Sequence, residues 1–184
     1  VPKTLLRGTS SDAAYVLEMG MRGLGQIERL SRVSEPDIAV ITNVGQAHIG
    51  LLGSRENIAK AKAEITSNLR PDGAVIIPFG DNLLEKALRE KWLGRIIRVA
   101  IEDFPLNWLG CDDYFDVKDI KPDYTSQIDL QNNLISFEGI KLRLPLEGKH
   151  NAMNFLMALT VATELGISIK NLNKLNINMP MGRN

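Results

Sequence analysis

The chain has 184 residues, 44% hydrophobic and 24% charged, an ordinary composition for one globular domain with a real core, which excludes a fibre or a disordered segment. Lys plus Arg and Asp plus Glu stand at 22 each, so no net field recruits nucleic acid or an anionic membrane, and no dense basic run supplies a local one. The longest apolar runs are of strand length, short of the roughly 20 residues a membrane-spanning helix needs, and VPKTLLRG at the N-terminus has no signal-peptide core.

Cys111 is the single cysteine, so an internal disulfide and a thiolate metal cluster are both excluded, and a cytoplasmic location is expected. In chain order, Ala14 to Met19 reads as a short buried strand, and the glycines at 20, 23 and 25 turn it into a helix over about Gln26 to Val33. Ile38 to Val44 is a second strand. Ser54 is the expected N-cap of a helix running to about Leu69, and Pro71-Asp72-Gly73 makes a turn. Ala74 to Ile77 is a third strand, Asn82 to Trp92 a helix, and Ile96 to Ala100 a fourth strand. This alternation predicts an α/β, doubly wound, mostly parallel sheet.

The rhythm changes after Ala100. Tyr114 to Ile120, Gln127 to Leu130, Leu134 to Phe137 and Lys141 to Leu144 are short segments with no helix between them, and Asn132-Asn133 looks like a hairpin turn. A small additional antiparallel sheet is expected there. Gly148-Lys149-His150-Asn151 then opens a long helix to Leu165, with Gly166 as its stop. The resulting division is a parallel part over residues 1–110, a small antiparallel part over 111–147 and a helical return over 148–184.

Ligands of open parallel sheets bind beyond the carboxyl ends of the strands, where Glu18 and His48 fall. A carboxylate in an apolar strand must be paired or bound to metal, and Glu with a neutral His suits a divalent cation. The ordinary readings stand beside this: a strand-end Glu is commonly exposed or salt-bridged, and a lone His is commonly a loop residue. Lys62 shares a helical stripe with the apolar Ile58, Ala61, Ile65 and Leu69. It either snorkels to water, as Lys60 is expected to, or sits half-buried, where a neutral amine can add carbon dioxide to become an anionic carbamate.

Gly20-Met21-Arg22-Gly23-Leu24-Gly25 has the spacing GxxGxG, not the dinucleotide GxGxxG, so its ordinary meaning is a tight turn. No GxxxxGK[ST] phosphate loop occurs, and the residues alone do not identify an ATPase. His150, Asn151 and Asn154 line one side of the first turns of a helix that is otherwise apolar nearly all round and is therefore expected to be buried. A buried Asn154 needs partners, and its amide suits either an adenine edge or a neighbouring backbone group.

EMGMRGLGQI from Glu18, TNVGQAH ending in His48, AKAE around Lys62, GKHNAMN from Gly148 and MGR ending in Arg183 together resemble the Mur ligase central domain over essentially the whole chain. The first two are most similar to the branch of that family that joins D-alanyl-D-alanine to UDP-N-acetylmuramoyl-tripeptide. The resemblance implies a phosphate-loop-NTPase-like α/β fold, here without the phosphate-loop strand, and ATP and magnesium as the reaction's companions. It implies that Glu18 and His48 are magnesium ligands and that Lys62 is carbamoylated and helps hold a second magnesium. It implies further that Asn154 meets the adenine, that His150 and Asn151 belong to the same nucleotide-side motif, and that Arg183 lies near the ATP phosphates at a hinge; Asn43 lies in the matching loop. The phosphate loop and a UDP-binding domain are expected upstream of Val1 and a closing domain after Arg183, making the chain a truncated central domain. By itself it is expected to be inactive and prone to self-association, and its parent to be a monomer. Another Mur-type ligase, a folylpolyglutamate synthase and a non-catalytic nucleotide- or metal-binding module are the alternatives.

Overall fold

The computed structural model describes residues 1–45, 49–102, 104–105, 120–170 and 172. Among them, six strands form one sheet in sequential order: β1 (Ile38–Val40), β2 (Ala74–Pro78), β3 (Arg95–Ile101), β4 (Tyr124–Asp129), β5 (Leu134–Phe137) and β6 (Ile140–Arg143). The helices are α1 (Pro2–Leu5), α2 (Gln26–Ser34), α3 (Ile49–Leu52), α4 (Arg55–Ala63), α5 (Asn82–Arg89) and α6 (Lys149–Glu164), and a 3-10 turn over Glu64–Asn68 continues α4.

Strands β1 to β4 run parallel, and β5 and β6 complete the sheet by antiparallel pairing. The pleat sends alternate side chains to opposite faces. Val75 and Ile77 therefore join a core with Ile27, Ile58, Leu84 and Leu88 from α2, α4 and α5. Ala74 and Ile76 join a second core with Ile97, Phe137, Leu156 and Met157, where α6 lies on β2, β3 and β4. Helices thus cover both faces, and the β2 residues are buried throughout, as a central parallel strand requires.

Local chemistry explains the element ends. The Ser54 hydroxyl caps α4 by accepting from the Asn57 N–H at 3.2 Å. Gly166, with φ 68°, ends α6 in the left-handed conformation that a side chain disfavours. The β4–β5 turn places Asn133 at φ 55°, a value Asn tolerates, and Glu138-Gly139 at φ 49° and 73° makes the tight turn into β6.

Four sequence expectations need correction. Ala14 to Met19 is not a strand: it is extended and largely exposed, with Val16 at 93%, because among the described residues no strand pairs with it to supply ladder hydrogen bonds. The antiparallel strands do not form a separate sheet, since β4 pairs with β3 in parallel and carries the hairpins onto the edge of the parallel sheet. Asn154 is not buried, because α6 buries Ala152, Met153, Leu156, Met157, Leu159 and Thr160 and leaves His150, Asn154 and Ala158, four residues apart, on the opposite stripe. The strand expected over Ile38 to Val44 is also shorter, although the Ile41 N–H still reaches the Ile76 carbonyl at 3.0 Å. The expected strand from Tyr114 lies outside the described residues up to 119, as does the tail apart from Leu172.

Candidate active site at the carboxyl end of the first parallel strand

Helix α4 buries Ile58, Ala59, Ala61 and Ala63 against the sheet, and Lys62 sits half-buried between them while Lys60 is exposed. The Lys62 ammonium does not snorkel to water. Its Nζ donates to the Asn43 carbonyl oxygen at 2.7 Å, just past β1. Burial pushes the Lys62 amine below its ordinary value, and the carboxylate of Asp81 partly offsets this.

Asp81, only 2% exposed, is the N-cap of α5: its Oδ1 accepts from the Leu84 N–H at 3.1 Å, and its Oδ2 accepts from the Val44 N–H at 3.1 Å. Glu64 is equally hidden at 4% exposure, and its Oε1 accepts from the Gly25 N–H at 2.7 Å where α2 begins. Beside it the Ser31 hydroxyl donates to the Ile65 carbonyl at 2.7 Å and accepts from the Asn68 N–H at 3.2 Å. These bonds fix the glycine turn after Glu18 to the same structural unit that carries Lys62.

A cavity of about 800 Å³ opens along the outer edge of β1, and Glu18, Asn43 and Lys62 share its lining. Its other walls are mostly apolar: Tyr15 and Leu17 on one side, Ile38 and Val40 of β1 on another, and Val161 and Leu165 at the far end of α6. The described residues contain no cluster of three His, Cys, Asp or Glu side chains able to hold a metal ion. As an ammonium, Lys62 repels a cation; Glu18 supplies oxygens of the kind magnesium takes, and Lys62 can join it only after losing a proton and adding carbon dioxide.

His48 and Arg183 lie outside the described residues. His150 and Asn154 are exposed on the first turns of α6, and the Asn151 Nδ2 donates to the Glu147 carbonyl at 2.7 Å. Val161, where α6 meets the cavity, stands ~16 Å along the helix axis from His150 at 1.5 Å rise per residue. The fold therefore brings Asn43 and Lys62 together with Glu18 on the same cavity. Helix α6 ends with Glu164 on Arg95 and Tyr124 at the start of β3 and β4 and begins with Lys149 over Phe104 just past β3, so His150 and Asn154 stand toward the carboxyl end of the sheet. Sequence reading missed Asp81 and Glu64. An Asp directly before the amphipathic run NLLEKAL signals a helix cap, and Glu64 lies three residues after the buried Ala61. Neither signal reveals the long-range bonds to Val44 and Gly25.

Fold and site define a three-layer α/β domain with a lysine-bearing cavity at the carboxyl end of a parallel strand. The chain belongs to the Mur ligase middle domain family, whose model matches residues 1–162. It is 36% identical over 184 residues to the UDP-N-acetylmuramoyl-tripeptide–D-alanyl-D-alanine ligase of Synechocystis, covering 100% of this chain and 36% of that protein. It is 34% identical over 172 residues to the Bacillus subtilis ligase of the same name, covering 91% and 33%. The crystal structure of MurF from Acinetobacter baumannii superposes with a TM-score of 0.73 at 26% identity, over 98% of this chain and 38% of that one. MurF ligase from Thermotoga maritima, solved in complex with ADP, shares the fold with a TM-score of 0.67 at 21% identity, over 91% and 36%. The chain thus spans about a third of the length of the curated relatives it matches.

Proposed function

We propose that this chain is the central, ATP-binding part of a ligase that joins D-alanyl-D-alanine to UDP-N-acetylmuramoyl-tripeptide in peptidoglycan synthesis, in the cytoplasm. The observation that carries this reading is the half-buried Lys62, facing the same cavity as Glu18 at the carboxyl end of a parallel strand, in a chain of this family. In the reaction, a carboxylate oxygen of the tripeptide attacks the γ-phosphorus of ATP and ADP leaves. The amine of D-alanyl-D-alanine then attacks the acyl carbon, phosphate leaves, and the amine's proton passes to solvent or a base.

Within this reading the Lys62 ammonium first loses a proton, and the resulting amine adds carbon dioxide and releases a second proton, which replaces a cation by a carboxylate-like anion. Glu18, His48 and that carbamate are the residues that would hold magnesium, which supplies neutralisation of the charge gathering on phosphates and carboxylate. His150, Asn151 and Asn154 present polar groups on the open face of α6 for the adenine side of the nucleotide, and Arg183 serves the phosphates. In this division the parallel part, residues 1–110, carries the lysine cavity, the strands of the 111–147 part lie between Tyr124 and Arg143 and extend the sheet, and 148–184 is the part next to a further domain of the parent. The length ratio to the relatives and the cavity along the outer edge of β1 support a longer parent whose phosphate-loop strand lies against that edge.

The test is phosphate release by the intact protein that carries this chain, with ATP, UDP-N-acetylmuramoyl-tripeptide and D-alanyl-D-alanine. Release that requires both acceptor and amine is expected. Its absence at any magnesium concentration overturns the reading. Lys62→Ala should abolish turnover, and added short carboxylic acids should restore part of it by supplying the missing anion; retained activity without them discards the carbamate role.

A further inference from the structure

The peptide unit between Asn43 and Val44 is held from both sides. Its carbonyl accepts from the Lys62 ammonium at 2.7 Å, and its N–H donates to the Asp81 carboxylate at 3.1 Å. A cation and an anion therefore polarise the same amide in the same sense, each strengthening the other's hydrogen bond. Asp81 also caps α5 through the Leu84 N–H at 3.1 Å, so the anchor of this relay is a helix terminus packed in the core.

We infer that Asp81 is a positioning residue: through the Asn43–Val44 peptide it holds the Lys62 amine at the cavity and fixes the backbone just past β1. Three elements distant in sequence, the segment just past β1, the last turn of α4 and the cap of α5, meet here. The geometry accounts for a fully buried carboxylate where a surface cap would have served α5 equally well. It also accounts for the ammonium of Lys62 turning to a backbone carbonyl instead of reaching for water. The proposed function gives the lysine its chemical importance, but the positioning role is read from these contacts and is tested without ligation.

Two variants in the intact protein test it from opposite ends. Asp81→Ser keeps one cap oxygen for Leu84 but has no second oxygen for Val44. Amine acylation followed by mass spectrometry should then label Lys62 faster, on the order of tenfold relative to Lys60 in the same molecule, as expected for the loss of one charge-assisted contact. Lys62→Met leaves the α5 cap untouched, and the Val44 amide proton should move upfield and exchange faster as its polarising cation disappears. A Lys62 to Lys60 labelling ratio unchanged in Asp81→Ser overturns the inference, as does an unmoved Val44 resonance in Lys62→Met. If phosphate release fails while both of these readouts change, the ligase reading falls and the positioning role stands.

Discussion

Replacing Glu64 by Ala should loosen the whole junction between α2 and the end of α4, although Glu64 resembles a solvated helix charge in the sequence. Its Oε1 accepts the Gly25 N–H at 2.7 Å, and its Oε2 lies 3.4 Å from the Glu28 N–H, so nearly all the energy is in the first bond. A hydrogen bond to a charged group contributes ~1.5–3 kcal/mol, and an acid at a helix N-terminus adds ~0.3–1 kcal/mol. Gly25 is itself only half-buried, so water would rehydrate part of the freed donor, and a net loss of ~2 kcal/mol is expected. Urea unfolding of the 184-residue chain should show a midpoint lowered by ~1 M for a slope near 2 kcal/mol/M. Glu64→Gln retains an oxygen for Gly25 and should lose about half as much. Amide exchange gives the local readout, with protection at Gly25 falling before that of the β2 strand. A midpoint shift below ~0.3 M together with unchanged Gly25 exchange would refute the capping argument.

Ion pairs of different burial should separate sharply. Arg98 and Glu85 are both largely buried and bonded at 3.1 Å through Nε and Oε2, so Glu85→Ala should cost ~3–5 kcal/mol by stranding the guanidinium, measured by the same unfolding curve. Arg32→Ala, which breaks an exposed pair with Glu28 on α2, should change the midpoint by less than the error, about 0.5 kcal/mol at most. A truncation of the fully buried Ile58 to Ala should lose ~2–5 kcal/mol through its cavity. The lowered pKa of Lys62 means that its native state releases the proton before the unfolded chain does, so this residue's burial penalty is complete below the folded pKa and is relieved as pH rises toward 10.5. The stability of the chain relative to Lys62→Met should accordingly increase with pH in that window, and a constant difference would contradict the desolvation. Because the outer edge of β1 has no paired strand among the described residues, light scattering should show the isolated 184-residue chain self-associating; a dispersed monomer would count against an unpaired apolar edge.

The strand and helix order was legible in the sequence because each element carries a local pattern. The apolar run of β2, the Ser54 cap, the Pro71-Asp72-Gly73 turn and the Gly166 stop all act within a few residues. Lys62 was legible as well, since its position among Ile58, Ala61 and Ile65 follows from helix geometry alone. Asn154 was not, because a helix of Ala, Leu, Met and Thr gives little contrast between its two faces, and only packing on β2, β3 and β4 selects which one is buried. Ala14 to Met19 has a strand's composition but lacks a pairing partner among the described residues, and a strand is a property of two segments.

Local sequence, then, determined the alternating elements, the caps and the inward direction of Lys62. Tertiary structure alone decided that the antiparallel strands extend the parallel sheet, that Glu64 holds Gly25, and that Asp81 and Lys62 grip the same peptide from opposite sides. Those bonds join residues 19 to 39 positions apart in the chain, and no periodicity or short motif encodes a contact whose partners meet only once the sheet has assembled.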